Sequence, residues 1–262
     1  VREDGLNITG EPTSARTAEL AQNMGITVET LDEARWCDVT IDGADEIDAN
    51  QNLIKGGGGA LLYEKVVATA SDQMIVIADI SKSVETLGAF PLPVEVIPFG
   101  WQTTKAIVEE TLINLDVMGT QATLRMVDDA PMVTDAGKFV LELHLKRLGN
   151  ARQASLVLNQ IPGVVENGLF VDICDVVISC FNDGVVEVRD VNTGTVVVIV
   201  SRVSIEQVVP TGAAHRGATP ICRVIAGSGS VQCISDVRCA VRSFEYTDSR
   251  FSRPAPRLKT PF

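Results

Sequence analysis

Residues 39–65 have the sequence VTIDGADEIDANQNLIKGGGGALLYEK, which brings together most of the chemically active groups of the chain. The first three residues predict a strand, and four acidic residues follow it: Asp42, Asp45, Glu46 and Asp48. Lys55 then precedes four consecutive glycines, which open into a helical pattern that contains Glu64. Carboxylates, one cation, a loop without side chains and a helix N-terminus predict a site for a small anionic substrate that undergoes proton transfer.

The segments around this stretch alternate between helix and strand patterns. A helix is predicted over residues 12–25, with Thr13 or Ser14 as its N-cap and Gly25 at its end. The other predicted elements are strands at 26–28 and 38–42, a helix from 59 to about 72, and a buried strand at 74–78. This alternation predicts an open α/β sheet with right-handed crossovers.

The pattern changes at residues 90–93, which have the sequence FPLP. The predicted elements beyond it are strand 94–97, helix 101–115, strands 121–127 and 139–145, helix 151–159 and strand 163–169. This βαββαβ order is typical of a ferredoxin-like α+β domain. Residues 175–180 predict a return to the first sheet, and residues 184–189 predict its closing strand. The sequence therefore predicts an insert at 93–169 within a domain formed by residues 1–92 and 170–195.

Residues 196–262 are predicted to form a basic, irregular tail. Residues 190–262 contain nine Lys or Arg and five Asp or Glu, whereas the whole chain has a net charge of -12. Residues 196–200 are compatible with a strand, but no amphipathic period persists after them. The charge reversal favours a foreign segment, from a shifted frame or a chimeric gene, over a genuine extension of the domain.

Composition excludes several classes of protein. The net charge of -12 argues against a nucleic-acid-binding protein, which would present a basic patch. It also requires local groups such as Lys55, Lys82 and a helix N-terminus to hold an anionic ligand. No apolar run approaches the length of about 18 residues that suggests a membrane span, and no secretory signal is visible. The six cysteines and two histidines show no metal-ligand spacing, so no metal site is predicted.

Each candidate feature also has an ordinary structural explanation. The glycines fit neither a Walker loop nor a dinucleotide-binding fingerprint, so a flexible turn is their alternative. The acidic turn does not match the register of a calcium-binding loop, and a solvated loop is its alternative. For Glu64 and Lys82 the alternative is a solvent-facing surface residue. His144 is interpreted as structural.

Taken together, five motifs resemble those of the ribose-5-phosphate isomerase type A family: DGADEID, KGGGGALLYEK, IADISK, FPLPVEVIP and IPGVVENGLF. The resemblance covers roughly residues 8–195. It implies a Rossmann-like open-sheet domain with an inserted ferredoxin-like domain, in agreement with the element pattern. It also implies the interconversion of ribose 5-phosphate and ribulose 5-phosphate without a metal or organic cofactor. A cytoplasmic homodimer or dimer of dimers is expected, without a nucleic-acid or membrane partner.

The resemblance assigns roles to individual residues. Glu64 matches the base that moves a proton between C2 and C1 through a cis-enediolate. Asp42 matches the aspartate of ring opening and proton relay, and Lys55 matches the group that stabilises the oxyanion together with the glycines. The full substrate-binding set that the resemblance implies is Asp42, Gly43, Ala44, Asp45, Lys55, Gly56, Gly57, Gly58 and Lys82.

Two departures from the family leave alternatives open. The family begins with a strand and a GTGST loop that grips the phosphate, and residues 1–14 do not match it, so both are expected to be missing. The likeness also fades after about residue 195. An inactive sugar-phosphate-binding remnant is therefore one alternative. An acyl-CoA transferase on a related fold, with a glutamate nucleophile, is the other.

Overall fold

The computed structural model describes residues 8–200, so the predicted tail from residue 201 onward lies outside the described residues, as do residues 1–7. The strands are β1 (Thr9–Gly10), β2 (Thr27–Val28), β3 (Cys37–Asp42), β4 (Glu46–Ile47), β5 (Leu53–Ile54), β6 (Ser71–Asp79), β7 (Leu92–Val96), β8 (Ala122–Leu124), β9 (Met126–Val127), β10 (Ala130–Pro131), β11 (Phe139–Leu143), β12 (Val164–Asn167), β13 (Leu169–Phe170), β14 (Val176–Cys180), β15 (Val185–Asp190) and β16 (Val196–Val200). The helices are α1 (Ala15–Asn23), α2 (Leu31–Ala34), α3 (Leu61–Thr69), α4 (Trp101–Leu112) and α5 (Ala151–Leu158), with a 3₁₀ turn at Ile80–Lys82.

The largest sheet has the strand order β16-β15-β14-β6-β3. Its strands β3, β6 and β14 are parallel, and β15 and β16 are antiparallel to their neighbours. Residues 74–78 of β6 are continuously apolar because both faces of this part of the strand are buried. Met74 and Val76 pack into one core cluster, and Ile75 and Ile77 pack into another on the opposite face. The carboxyl end of β3, at Asp42, pairs with Val76 of the neighbouring strand β6.

A second sheet has the order β12-β7-β11-β8, and all its pairs are antiparallel. Its apolar face contains Leu92, Val94 and Val96, which share a core cluster with Val108 of α4 and Leu158 of α5. The opposite face contains polar residues because side chains alternate across a strand. The protein is thus an α/β protein with mixed sheets.

A small sheet of order β13-β5-β4 lies next to the glycine-rich segment. Leu53 and Ile54 of β5 are fully buried and pair with Phe170 and Leu169 of β13. Directly after β5, the Lys55 N–H donates to the Gly168 carbonyl at 2.9 Å. This sheet therefore fixes the backbone of the lysine that precedes the glycines.

Most predicted elements are present, and several boundaries differ. The first helix has Ser14 as its N-cap, and Gly25 follows it with φ +76°, as predicted. The helix predicted to about residue 72 ends at Thr69, because β6 begins at Ser71, whose hydroxyl donates to the Val67 carbonyl. The helix predicted over 101–115 ends at Leu112.

Two predicted strands are each divided into two in the structure. The strand that was predicted to close the largest sheet is not its edge strand. The strand at 121–127 divides at Arg125 into β8 and β9, and the strand at 163–169 divides at Gly168 into β12 and β13. A side chain at Gly168 would collide with the Lys55 carbonyl, so the backbones approach closely there. Residues 196–200 are not irregular: they form β16, which pairs with β15 and replaces 184–189 as the closing strand.

Within the described range, no helix combines the length and the apolar character needed to span a membrane.

Candidate active site

The ammonium group of Lys55 is the centre of a buried cluster. Its Nζ lies 2.8 Å from Asp42 Oδ2 and 3.1 Å from Glu64 Oε2, and it donates to the Gly43 carbonyl at 2.7 Å. The Lys55 side chain is only 3% exposed. Three acceptors therefore surround a cation that has almost no contact with solvent. Asp42, Lys55 and Glu64 are called the Lys55 cluster below.

Three different elements supply this cluster. Asp42 is the last residue of β3, at the strand end where open α/β sheets bind ligands. Lys55 follows β5, and Glu64 lies in the first turn of α3. Glu64 shares the buried side of α3 with Leu61 and Val67, three residues before and after it. The glutamate therefore points into the protein rather than to the surface.

The cluster contains two acids and one base, and this imbalance affects proton affinity. Burial raises the pKa of Glu64, the Lys55 charge opposes that rise, and the Asp42 charge reinforces it. Burial would lower the pKa of Lys55, but the charges of Asp42 and Glu64 outweigh it, so the pKa of Lys55 is raised. A permanently charged lysine thus lies beside a glutamate that binds a proton more readily than an ordinary carboxyl group.

Glu64 is suited to accept a proton. Its Oε2 lies 3.1 Å from Lys55 Nζ, so the carboxylate faces the ammonium group inside the cluster. A buried carboxylate with a raised pKa is a suitable proton acceptor.

The glycine loop, residues 56–59, lies beside the cluster. Gly56 and Gly59 have φ of +104° and +84°, conformations that favour glycine. The Gly57 N–H donates to Asp45 Oδ2 at 2.8 Å, and a Cβ at Gly57 would lie 2.7 Å from Asp45 Oδ1. Gly57 and Gly58 are exposed, and α3 begins at Leu61. The loop thus presents an accessible backbone close to a helix N-terminus.

The acidic turn divides into two functional parts. Asp42 contacts Lys55 and Asp45 contacts the glycine loop, whereas Glu46 accepts from the Gly88 and Phe90 N–H groups, both at 2.6 Å. Asp48 accepts from the Asn50 and Asn52 N–H groups and closes its own turn. Glu46 and Asp48 therefore stabilise local backbone.

The structure places the remaining sequence-derived candidates as follows. Ala44 packs against the core cluster of Ile47 and Phe170. Lys82 ends the 3₁₀ turn after β6, is half-buried, and makes no ion pair within residues 8–200. His144 Nε2 hydrogen-bonds Thr123 Oγ1 at 2.8 Å, away from the Lys55 cluster in the second sheet.

Two residues at the site were missed by sequence reasoning. The Phe170 ring centroid lies 5.3 Å from Lys55 Nζ and 5.0 Å from Lys65 Nζ, so its π-face helps to hold two buried cations. Arg125 Nη1 donates to the carbonyls of Gly56 and Gly57 at 3.0 and 3.1 Å. No local sequence signal connects either residue with the motif at 39–65.

Within residues 8–200, no group of three or more His, Cys, Asp or Glu side chains is arranged to hold a metal ion.

Comparison with known proteins shows the family to which the chain belongs. The family described as ribose 5-phosphate isomerase A (phosphoriboisomerase A) matches residues 9–184. The chain belongs to this family. It is 72% identical over 196 residues to the ribose-5-phosphate isomerase A of Ruegeria sp. (strain TM1040), and 70% identical to that of Ruegeria pomeroyi. Each of these alignments covers 75% of this chain and 75% of the relative.

Solved structures of the isomerase A family also match. One is a D-ribose-5-phosphate isomerase in complex with phospho-erythronic acid, with a TM-score of 0.66 and 40% identity over 72% of this chain and 80% of the other. Another is the ribose 5-phosphate isomerase A of Methanocaldococcus jannaschii, with a TM-score of 0.66 and 36% identity over 72% and 81%. The family assignment predicted from the five motifs is therefore confirmed. An acyl-CoA transferase and an inactive remnant are not favoured.

Proposed function

We propose that the protein interconverts D-ribose 5-phosphate and D-ribulose 5-phosphate through a cis-enediolate, without a metal or organic cofactor. The observation that supports this proposal best is the Lys55 cluster, in which one buried lysine contacts two carboxylates and one of them has a raised pKa. Proton abstraction next to a carbonyl needs one base, one stabiliser of the oxyanion, and groups that bind the hydroxyls.

Glu64 acts as the base. It removes the proton from C2 of the open-chain aldose, and the C–H electron pair forms the C1=C2 double bond while the carbonyl electrons move onto O1. The reverse movement, with a proton relayed from O2 to O1, forms the C2 carbonyl, and Glu64 returns its proton to C1. The protein ends the cycle with the protons with which it began. The raised pKa of Glu64 supports its role as the base, since a carboxylate with a higher pKa accepts a proton more readily.

Lys55 and the glycine loop stabilise the negative charge that develops on the enediolate oxygens. A buried ammonium group acts strongly because little water screens it. Asp42 relays protons among the sugar oxygens and opens the ring. The wider substrate-binding set is Gly43, Ala44, Asp45, Gly56, Gly57, Gly58 and Lys82.

The proposal extends to domain organisation. Residues 93–169 are proposed as a ferredoxin-like insert within a Rossmann-like domain of residues 1–92 and 170–195, to which β16 is now added. The sheet order β12-β7-β11-β8 supports the first part, and the parallel strands β3, β6 and β14 support the second. A cytoplasmic homodimer or dimer of dimers is also proposed, and sedimentation equilibrium would test the oligomeric state.

The decisive experiment supplies D-ribose 5-phosphate to the purified, EDTA-dialysed protein and follows ketose formation. The expected result is saturable turnover to D-ribulose 5-phosphate, with deuterium incorporated at the transferred position in heavy water. D-Ribose without the phosphate is the control substrate. Saturable binding without turnover would establish the inactive remnant, and transfer from acetyl-CoA to an acceptor acid would establish the transferase.

A further inference from the structure

Arg125 connects the second sheet to the glycine loop. Its Nε donates to Glu142 Oε1 on β11 at 2.8 Å, and its Nη1 donates to the carbonyls of Gly56 and Gly57. The Arg125 side chain is 11% exposed. Because the guanidinium group is planar and rigid, the bond to Glu142 also fixes the direction of the N–H groups that reach the loop.

The two carbonyls determine where the amides of the loop point. In a trans peptide the C=O and the following N–H point in opposite directions. Carbonyls of Gly56 and Gly57 that face Arg125 therefore direct the N–H groups of Gly57 and Gly58 away from it. The Gly57 N–H shows this direction, since it donates to Asp45. No acceptor for the Gly58 N–H is present among residues 8–200, so this donor is available to a ligand.

Without Arg125, little would hold the peptide between Gly57 and Gly58 in this orientation. Both residues are exposed glycines, and glycine has similar access to positive and negative φ. Rotation of this peptide would replace the free N–H with a carbonyl oxygen, which repels a developing oxyanion. A hairpin over residues 125–132 adds a second restraint, because Met132 lies where a Cβ of Gly59 would be, and its N–H donates to the Arg125 carbonyl.

We propose that Arg125 is a positioning residue that locks the Gly57–Gly58 peptide with its N–H toward the substrate, so that this amide and Lys55 together bind the enediolate oxyanion. The inference rests on the proposed isomerase function and deepens it. Arg125 acts through the loop and does not itself touch the reacting atoms. Its contribution is greatest where negative charge develops, so it should affect kcat and the binding of charged analogues more than KM.

The test compares Arg125→Gln and Arg125→Lys with Arg147→Gln, a matched control that loses an exposed ion pair with Asp116. Arg125→Gln should lower kcat by about 10- to 100-fold and change KM less than about threefold. This loss is smaller than the loss of about 10²- to 10³-fold on removing an oxyanion donor outright, because Arg125 acts through the loop. The kcat of Arg125→Lys should lie between the values of wild type and Arg125→Gln. One ammonium group cannot reproduce the planar guanidinium group, which bonds Glu142 and the loop carbonyls at the same time. Arg147→Gln should have the kcat and KM of wild type.

Amide hydrogen exchange separates this inference from the proposed function. Exchange in a peptide that spans residues 56–60 should accelerate at least about tenfold in Arg125→Gln and stay unchanged in Arg147→Gln, whether or not the protein turns over ribose 5-phosphate. Phospho-erythronic acid should bind more weakly to Arg125→Gln by about the same factor as the loss in kcat. Unchanged exchange together with wild-type kcat per folded molecule would overturn the role of Arg125. Faster exchange in a protein without isomerase activity would support the loop restraint and refute the proposed function.

Discussion

The Lys55 ammonium lies 3.1 Å from the Glu64 carboxylate inside the protein, where the Glu64 side chain is only 5% exposed. Asp42 shares the same lysine, so one positive charge serves two carboxylates. Burial, reinforced by the negative charge of Asp42, raises the pKa of Glu64. A strict one-to-one ion pair would instead favour the carboxylate form and weaken its tendency to accept a proton.

The first prediction concerns Glu64→Gln. This change keeps the shape of the side chain but removes the proton acceptor, so kcat should fall by about 10²- to 10⁴-fold, the usual contribution of a general base. Ketose formation under saturating D-ribose 5-phosphate would measure the loss. The KM for D-ribose 5-phosphate should change far less, because Lys55 and the glycine loop remain. Glu110→Gln, an exposed change on α4, is the control. A Glu64→Gln protein with wild-type kcat would rule out Glu64 as the base.

The second prediction concerns the titration of Glu64 in the free protein. Burial raises the pKa of Glu64 above 4.5, so protonated Glu64 should persist at a pH at which ordinary glutamates are ionised. An infrared carboxyl band that is present in wild type and absent in Glu64→Gln would identify it. Its titration avoids interference from the substrate phosphate, which itself ionises near neutral pH.

The pKa of Glu33 is shifted in the opposite direction from that of Glu64, so Glu33 is the control for this titration. Hydrogen bonds from the Thr30 N–H and hydroxyl lower the pKa of Glu33 below 4.5. The band assigned by Glu33→Gln should therefore titrate on the acid side of 4.5, and the Glu64 band should titrate on the alkaline side. A Glu64 band that titrates at or below pH 4.5, or at a lower pH than the Glu33 band, would contradict the burial of Glu64 in the Lys55 cluster.

The sequence predicted the long elements because their periodicity is local. Local sequence patterns predicted segments that overlap the strands β3, β6 and β14 and the helices α1, α4 and α5. The strands β4 and β5 were missed, since two residues carry no measurable period and β5 also pairs with the distant β13. Residues 196–200 were compatible with a strand but were assigned to the tail, because the sequence after them lacks any amphipathic period. Their pairing with β15 makes them the strand β16.

The same difference between local patterns and contacts of distant residues applies to the site. The motif and its family resemblance singled out Asp42, Lys55 and Glu64, and the structure brings these three side chains together. Spacing alone could not show that Glu64 faces inward, because this depends on the packing of α3. Arg125 was not predicted, since its contact joins residues 69 positions apart and depends on how the second sheet meets the loop.

The third prediction concerns Lys55→Met and stability. Removing the cation leaves the buried carboxylates of Asp42 and Glu64 next to each other without compensation, which should lower the free energy of unfolding by about 3–5 kcal/mol at pH 7. Lys105→Met, which loses a partly exposed pair with Glu109 on α4, should lose no more than about 1 kcal/mol. Urea denaturation of both variants would measure the difference.

The pH dependence of this loss has a defined sign. A carboxyl group whose folded pKa is raised stabilises the fold when protonated, and this stability is lost as the pH rises from the unfolded value toward the folded value. Without Lys55 the pKa of Glu64 should rise further, since the positive charge that opposes the effect of burial is gone. The deficit of Lys55→Met should therefore shrink as the pH falls from neutral toward 4.5, the ordinary value of a glutamate, and a deficit independent of pH would show that lost packing is its cause.

The last prediction concerns Gly57→Ala. A Cβ at Gly57 would lie 2.7 Å from Asp45 Oδ1, so either Asp45 or the glycine loop must move, and the bond from the Gly57 N–H to Asp45 must lengthen. Displacement of about 1 Å at a reacting group can cost about 10²-fold, so kcat/KM should fall at least about tenfold. Gly10→Ala is the matched control, because a Cβ there meets its nearest atom at an ordinary 3.5 Å and should leave kcat/KM unchanged. If Gly57→Ala retains full kcat/KM while Asp45→Asn does not, Asp45 would be required by the substrate alone and its bond to the loop would have no role in catalysis.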